Sequence, residues 1–363
     1  MTGNSSRNRA LIKTEILCLG LRPVADVDRG RRGGAGPSGG RYILVDKGFC
    51  VNAPMQGAFV NASPLELVES DGGWAILKKG SEYARAEFVP KPMFYERYTS
   101  EGIHMWKVAL LHGTDCLAST VYQRCAYWLS GRACKFCGIE LSLRYGSTVE
   151  VKTRSNLRDV LSAALEEGLV KHVTLTVGTP LTPDKGAFIL AEAVRGIRDV
   201  AKIPVHVQLE PVERKNLKLL RDSGVDTIGI HVESFDPRVL ESVCPGKPRI
   251  DRFLEAWRTA VDLFGEGQVS SYIIAGLGES DESIVDGAKR LSKIGVIPYL
   301  VPLRPTPGTP MGGCAPPSPS RMAELYDRVV MAMKDLGIDP TKNAAGCVRC
   351  GACSALNEFY RCL

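Results

Sequence analysis

Three cysteines near the middle of the chain, Cys125, Cys134 and Cys137, are close enough in sequence to act as one set of metal ligands. Three thiolates can hold three irons of a four-iron, four-sulfur cluster and leave the fourth iron without a protein ligand. Such an iron keeps an open position at which a small molecule can bind and react. We take Cys125 as the first ligand in preference to Cys116, because the shorter loop keeps all three cysteines in one local turn.

Zinc is the alternative for this cysteine set. A Cys-x2-Cys pair needs a second pair of Cys or His ligands to complete a closed tetrahedral zinc site. The nearby candidates for that second pair are Cys116 and His112. The sequence favours the cluster and leaves the zinc interpretation open.

A second cysteine set, Cys347, Cys350 and Cys353, lies close to the C-terminus with the spacing C-x2-C-x2-C. Runs of this kind bind iron–sulfur clusters in bacterial ferredoxins, although the Cys-Pro that continues the ferredoxin run is absent here. The sequence predicts an auxiliary iron–sulfur cluster, of [4Fe-4S] type, with zinc again as the alternative. Its fourth ligand is Cys362, Cys314 or a residue from the N-terminal region, and this incomplete local set predicts a cluster that is labile or open to substrate.

The composition is that of a globular protein. The chain has 363 residues, enough for a barrel of roughly 200–250 residues with additions at both ends. Six of the twelve cysteines fall in the two sets, which is a metal-ligand distribution and indicates a reducing compartment. The net charge of +6 comes from scattered basic residues, so no nucleic-acid partner is expected. No apolar run approaches a membrane span and no signal peptide is evident, so we expect a cytoplasmic protein without a membrane partner.

The first hundred residues have a pattern different from that of the remainder. Residues 14–22 fit either a short strand or a helix. Residues 29–40 contain six glycines and three arginines, and such a loop either binds an anion through arginine or is simply a solvated loop. Strands are predicted at residues 42–46, 49–52 and 74–78. We therefore expect a small strand-rich cap at residues 1–103.

From residue 104 onward, short apolar runs alternate with amphipathic segments. Strands are predicted at residues 106–111, 172–177, 203–209, 225–232, 268–275 and 298–303, and helices at residues 156–168, 184–199, 212–223, 250–264, 281–294 and 320–336. This alternation predicts an α/β fold with a parallel sheet, either a partial barrel or an open doubly wound sheet. In both folds the ligand site lies at the carboxyl ends of the strands.

Polar residues follow several of these predicted strands. The strand ends carry Gly178 and Thr179, Glu210, His231 and Glu233, Gly276 and Glu279, and Arg304. Taken singly, a carboxylate after a strand is often a helix cap and a glycine pair is often a turn. Their convergence on the edge of the sheet that also receives the cysteine loop predicts a shared cofactor site.

The spacing Cys125-x8-Cys134-x2-Cys137, with Phe136 before the last cysteine, resembles the signature of the radical S-adenosylmethionine (SAM) superfamily with its first interval lengthened. The resemblance implies a partial (β/α)6 barrel, here at residues 104–340, with a C-terminal iron–sulfur tail at residues 341–363. It also implies a [4Fe-4S] cluster that binds SAM and, when reduced, cleaves it to a 5'-deoxyadenosyl radical. A reduced ferredoxin or flavodoxin is the expected electron donor.

The resemblance also suggests which residues contact SAM. Gly178 and Thr179 occupy the place of a Gly-Gly-Glu segment that holds the SAM ammonium, although the acid is missing here. The segment from Ile274 to Glu279 resembles the one that lies along the adenine. The SAM contacts expected from the resemblance and from the strand ends are Phe136, Gly178, Thr179, Glu210, Gly276, Glu279 and Arg304; no catalytic side chain is assigned.

The chain resembles two related groups of proteins over nearly its whole length. One is the radical SAM family associated with nitrilase gene clusters, and the other is the archaeal two-component lipoyl synthases, which are biotin-synthase-like. We expect sulfur insertion into the octanoyl chain of a lipoyl carrier protein, with the auxiliary cluster as sulfur source and a second radical SAM component as a possible partner. The alternatives are a small-molecule enzyme whose auxiliary cluster relays electrons or anchors substrate, and a non-catalytic electron-transfer or metal-binding protein. In all catalytic versions we expect the cap and the tail to close the open mouth of the barrel.

Overall fold

The computed structural model describes residues 2–34 and 38–363 of the chain. Its N-terminal part is a helix packed on a sheet whose strand order is β1-β4-β5-β6-β2-β3. The elements are α1 (Thr2–Leu19), β1 (Arg22–Pro23), β2 (Gly40–Val45), β3 (Phe49–Pro54), the one-turn helix α2 (Ala58–Asn61), β4 (Leu65–Ser70), β5 (Gly73–Lys78) and β6 (Ser81–Phe88). The three strands predicted in this region are confirmed, and residues 14–19 are the end of a helix.

The hairpin between β2 and β3 follows from its turn residues. Asp46 and Lys47 have φ values of 46° and 52°, and Gly48 follows them. Positive φ at both central residues gives a turn whose twist matches that of the flanking strands. The inward residues of the hairpin, such as Val45 and Val51, pack with Ile16 of α1 in a small core of their own.

The larger part of the chain is built on a second sheet, whose strands follow one another in chain order from β7 to β13. They are β7 (Leu110–His112), β8 (Cys116–Tyr122), β9 (His172–Val177), β10 (Val205–Gln208), β11 (Thr227–Gly229), β12 (Val269–Ala275) and β13 (Val296–Pro302). Strand β7 is antiparallel to β8, and the pairs from β8 onward are parallel. A doubly wound sheet reverses its strand order at a switch point, and this sheet does not. Of the two predicted folds, the structure has the partial barrel, and its sheet is curled into a half-barrel.

Helices cover the outside of this sheet. They are α3 (Met105–Val108), α6 (Arg154–Glu166), α7 (Ala187–Arg198), α8 (Arg214–Asp222), α10 (Ile250–Phe264), α11 (Asp281–Ser292) and α12 (Pro319–Asp335). The short helices α4 (Ala126–Leu129), α5 (Leu141–Arg144) and α9 (Pro237–Val243) lie instead in the segments that follow β8 and β11. The main core lies between them and the sheet. Within residues 2–34 and 38–363, no helix has the length and apolar character needed to cross a membrane.

The predicted first strand, at residues 106–111, is wrong. Residues Met105–Val108 form one helical turn, and β7 begins only at Leu110. The first parallel strand is β8, which the prediction omitted. The run from Trp106 resembles a strand because it is short and apolar, but Met105, Val108 and Ala109 are buried at the spacing of a helical turn packed against the core.

The N-terminal sheet lies against the side of the half-barrel, at the gap between the two edge strands of the half-barrel, β7 and β13. At the β7 edge, the ring of Tyr42 in β2 lies 5.4 Å from the ring of His112. At the β13 edge, Nη1 of Arg304 donates to the carbonyl oxygen of Asn52 at 3.0 Å and to its Oδ1 at 2.6 Å. These contacts on both edges close the gap between β13 and β7 from the side.

The tail, with α13 (Cys347–Cys350) and α14 (Leu356–Cys362), packs at the amino-terminal ends of the strands. The amide of Gly346 donates to Nδ1 of His172, the first residue of β9, at 3.2 Å. The hydroxyl of Thr227, the first residue of β11, donates to the Ala345 carbonyl at 3.2 Å. The expectation that the tail covers the open mouth at the carboxyl ends is therefore wrong.

The physical reason is a close approach at Gly346. The backbone there passes directly over the imidazole of His206, and any Cβ at this position would overlap that ring. Gly346 also has a φ of 94°, which glycine adopts without steric cost. A side-chain-free residue thus lets the tail enter the lower end of the barrel.

Two ion pairs connect α1 to the C-terminal elements. Nζ of Lys13 lies 2.8 Å from Oε1 of Glu358 in α14, and both side chains are largely buried. Arg7 pairs with Asp327 of α12. The N-terminal helix therefore holds the tail in place from outside the barrel.

Candidate functional site

A cavity of about 330 Å3, called the chamber below, occupies the inside of the half-barrel. Both cysteine sets face it. The loop trio (Cys125, Cys134 and Cys137) lies at the upper end, beyond the carboxyl ends of the strands, and the tail trio (Cys347, Cys350 and Cys353) enters from the lower end. One chamber therefore has two sets of three thiols along its walls.

The loop that carries the loop trio is fixed by hydrogen bonds from several other segments. Four backbone hydrogen bonds hold it: Ala126 N to Thr179 O at 2.8 Å, Lys135 N to Val243 O at 2.9 Å, Met311 N to Lys135 O at 3.0 Å, and Gly34 N to Gly138 O at 2.9 Å. The last of these shows that the arginine–glycine loop packs against the residue that follows Cys137. Residues 35–37 of that loop lie outside the described residues.

Gln123 and Lys152 support the loop from below, and no sequence pattern pointed to either residue. Nε2 of Gln123 donates to the Ile139 carbonyl at 3.0 Å, and Nζ of Lys152 donates to Oε1 of Gln123 at 3.1 Å. Burial lowers the pKa of Lys152 to about 7. The position of the cysteine loop thus depends on a buried amine.

Glu210 lies beside the loop trio, as predicted from its place after β10. The hydroxyl of Tyr127 donates to its Oε2 at 2.9 Å. Burial raises the pKa of Glu210, and the charge of Lys247 opposes this effect. Phe136, Gly178 and Thr179 also line the chamber here.

Glu233 and His231 are the functional candidates that sequence reasoning noted but did not assign. Nζ of Lys247 donates to Oε1 of Glu233 at 2.7 Å and to the His231 carbonyl. Oε2 of Glu233 and Nε2 of His231 are buried, line the chamber and have no hydrogen-bond partner among the described residues. Glu233 has a φ of 70°, an unusual conformation for a residue other than glycine. Such a conformation at a pocket wall suggests a functional role, and the sequence does not display it.

Gly276 and Glu279 do not line the chamber within the described residues. Oε1 and Oε2 of Glu279 accept hydrogen bonds from the amides of Gly276 and Leu277 at 2.8 and 2.7 Å. Arg321 lies 3.1 Å from the same carboxylate. This acid is used to fix its own turn, and its contact with an adenine stays a prediction.

Arg31 and Arg304 face the chamber without an acidic partner among the described residues. Nη2 of Arg304 is buried and has no hydrogen-bond partner there. Burial lowers the pKa of Arg31, and it lowers the pKa of Arg304 to about 10. Arginine side chains are cationic in proteins at neutral pH. Buried charges without a counter-ion are costly, so this wall of the chamber favours an anion.

The tail trio is half-buried at the other end of the chamber. Nε2 of Gln208 lies 3.2 Å from Sγ of Cys347. Burial raises the pKa of Cys350, with the charge of Cys116 as the next contribution, and raises that of Cys353 to about 12. A metal would therefore be needed to keep these thiols deprotonated at neutral pH.

The two sets of three thiols are compatible in residue type with the two iron–sulfur clusters predicted from the sequence. No three Cys, His, Asp or Glu side chains of the described residues are placed to hold a single metal ion. A polynuclear cluster takes one thiolate per iron, so its ligands need not converge on one point. At the upper end, the free oxygen of Glu233 and the carboxylate of Glu210 lie beside the loop trio and suit the ammonium and hydroxyl groups of SAM.

Comparison with known proteins finds similarity in the middle of the chain. Residues 130–291 match the family model of the radical SAM superfamily. The bacteriochlorophyllide c C-7(1)-hydroxylase of Chlorobaculum limnaeum is 25% identical over 224 residues, covering 55% of each chain. The lipoyl synthase of Bacillus cereus (strain G9842) is 30% identical over 161 residues, or 43% of this chain and 51% of that protein. The chain thus spans about half the length of these curated relatives.

Solved structures of two enzymes resemble the chain in part. Methylornithine synthase is 17% identical, with a TM-score of 0.48 over 61% of this chain and 63% of that chain. A maturase of the [FeFe]-hydrogenase is 22% identical, with a TM-score of 0.48 over 60% and 49% of the two chains.

Proposed function

We propose that this chain, which carries a match to the radical SAM superfamily at residues 130–291, is a radical SAM enzyme that inserts sulfur into an unactivated carbon. The observation that carries the proposal is the chamber, which has the loop trio at its upper end and the tail trio at its lower end. The loop trio would hold a [4Fe-4S] cluster, which would supply the electron for the cleavage of SAM to a 5'-deoxyadenosyl radical. A substrate bound between the two ends has the radical source on one side and a sulfur source on the other.

The residues around the loop trio bind and orient SAM in this proposal. Glu210, fixed by the hydroxyl of Tyr127, accepts hydrogen bonds from the ribose hydroxyls or the ammonium. Glu233 offers the free oxygen Oε2 from a carboxylate that Lys247 holds in place. Phe136, Gly178 and Thr179 complete this wall, while Gly276, Glu279 and Arg304 are kept as predicted contacts.

The enclosure of the chamber suits radical chemistry. The N-terminal sheet contacts both edge strands through Tyr42 and Arg304, and the tail closes the lower end at Gly346. Covering the side and the lower end limits the access of water and solvent reductants to a substrate carbon radical before it meets sulfur. The octanoyl chain of a lipoyl carrier protein is the substrate that we propose. A second radical SAM component and a reduced ferredoxin or flavodoxin complete the proposed partners.

The test compares two variants of the reconstituted protein. Cys350→Ala leaves the loop trio intact, so it should still form 5'-deoxyadenosine from SAM and reductant but yield no sulfur-containing octanoyl peptide by mass spectrometry. Cys125→Ala should form neither product. The wild type should turn over about once per tail cluster. If tail iron and sulfide survive many turnovers, sulfur insertion from this cluster is wrong.

A second candidate function is favoured by Arg31 and Arg304. Two cationic side chains without acidic partners in the chamber wall suit a small anionic substrate. This matches the activity expected of the nitrilase-cluster type, with the tail cluster as electron relay or substrate anchor. A carboxylate that stimulates 5'-deoxyadenosine formation in the wild type, but not in Arg31→Ala, would favour it. A reduced protein that never cleaves SAM would instead point to an electron-transfer or metal-binding protein.

A further inference from the structure

Cys116 has no role in the function proposed so far, although its thiol faces the chamber. It is the first residue of β8, and Sγ lies 3.2 Å from Oγ1 of Thr174 in β9. Strand β8 has seven residues, and at about 3.3 Å per residue it spans about 20 Å. Cys125 follows the far end of this strand. Cys116 is therefore too distant to serve the loop trio and lies at the lower end of the chamber.

The tail brings Cys350 to this same end. Gly113, in the turn that precedes Cys116, has a φ of 60°, and a Cβ placed on it would lie 2.8 Å from Sγ of Cys350. The sulfur of Cys350 thus packs against the turn that leads into Cys116. A residue with a side chain at position 113 would push Cys350 away, so the turn is shaped to admit this thiol.

The other cysteines considered as a fourth tail ligand do not line the chamber. Cys362 is in α14, and Cys314 is exposed. Cys50 of β3 is half-buried and lies near enough to Cys353 to act on it electrostatically, but its side chain is outside the chamber wall. Among the described residues, Cys116 is the one cysteine outside the two trios whose side chain lines the chamber.

We propose that Cys116 is the fourth thiolate ligand of an iron–sulfur cluster held by Cys347, Cys350 and Cys353. The proposal rests on the tail cluster of the proposed function and adds the ligand that the tail sequence lacks. It means that the cluster joins the tail covalently to the first parallel strand, so that loading the cluster fixes the lower end of the chamber. His112 lines the chamber near the same turn, and it is the competing ligand that the experiment must separate.

The experiment uses the full chain in a background that lacks the upper cluster. Cys125, Cys134 and Cys137 are changed to Ala together, so that the iron measured after anaerobic reconstitution belongs to the tail. This background should retain about four irons and four sulfides per chain, as one four-iron cluster requires. Adding Cys116→Ala should make the retained iron accessible to a chelator at least about tenfold faster and change the electron paramagnetic resonance spectrum of the reduced cluster.

Matched controls separate ligation from folding. Cys314→Ala and Cys362→Ala, in the same background, should lose iron at the background rate. The metal-free Cys116→Ala and Cys116→Ser proteins should melt within a few degrees of the metal-free background, and the serine variant should also show an altered spectrum.

The outcomes distinguish this proposal from the function on which it rests. If the background binds no iron, the proposal of a cluster at the tail trio is itself wrong. If the background binds iron and Cys116→Ala behaves like the two controls, the tail cluster stands and Cys116 is not its ligand. If His112→Ala, and not Cys116→Ala, releases the iron, the fourth ligand is the imidazole and the proposal is overturned.

Discussion

Glu210 offers the sharpest test of the upper end of the chamber. Its carboxylate lies after β10 and beside the loop trio. The hydroxyl of Tyr127 donates a hydrogen bond to Oε2 at 2.9 Å. The side chains of Tyr127 and Thr179 both hydrogen-bond this carboxylate, which also faces the chamber. Glu210→Ala removes both acceptors, whereas Glu210→Gln keeps an oxygen for Tyr127 and removes only the charge.

The size of the effect follows from this arrangement. Losing a hydrogen bond to a charged acceptor costs about 1.5–3 kcal/mol, which corresponds to a roughly ten- to hundredfold weaker affinity for SAM. Charge-assisted hydrogen bonds are about twice as strong as neutral ones. We therefore expect Glu210→Gln to lose roughly half of that free energy, and Tyr127→Phe, which leaves the carboxylate in place, to change the affinity by less than about threefold.

The assay is isothermal titration calorimetry, in which SAM is titrated into anaerobically reconstituted protein. Iron content is measured on the same samples. Iron should be unchanged in all three variants, because Glu210 is proposed to bind SAM and not the metal. Wild-type SAM affinity in Glu210→Ala would remove Glu210 from the site. Loss of iron in that variant would mean that the residue supports the cysteine loop instead.

Three further predictions test other parts of the structure. Cys125→Ala should abolish 5'-deoxyadenosine formation, measured by liquid chromatography, whereas Cys116→Ala should largely preserve it. Lys13→Met leaves the buried carboxylate of Glu358 unpaired and should lower the free energy of unfolding by about 3–5 kcal/mol in denaturant titrations, against at most about 1 kcal/mol for the more exposed Lys78→Met. The pKa of Lys152 is about 7 in the folded chain against 10.5 ordinarily, so the unfolded chain binds more protons between these values. The contribution of the neutral Lys152 amine to stability should therefore be present above a pH of 10.5 and lost as the pH falls through about 7. Lys152→Met should flatten that part of the pH–stability curve in thermal melts.

Local sequence patterns were sufficient for most of the fold. The strand at residues 172–177 and the helix at residues 250–264 have the predicted bounds, because apolar periodicity and terminal residues act over one element at a time. The same reasoning failed at residues 106–111, where burial arises from contacts distant in sequence. A short apolar run cannot distinguish a strand from a helical turn packed into a core.

The candidate site shows the same division. Two sets of three thiols, and Glu210 after a strand, could be predicted from the sequence because ligand spacing and chain order are local properties. That the two sets face one chamber from opposite ends could not be predicted, since it depends on Gly346 passing over His206 at the lower end of the barrel. The tertiary structure also placed Cys116 with the tail trio, because the length of β8 and the packing of Cys350 on Gly113 are set by contacts between segments more than two hundred residues apart in the sequence.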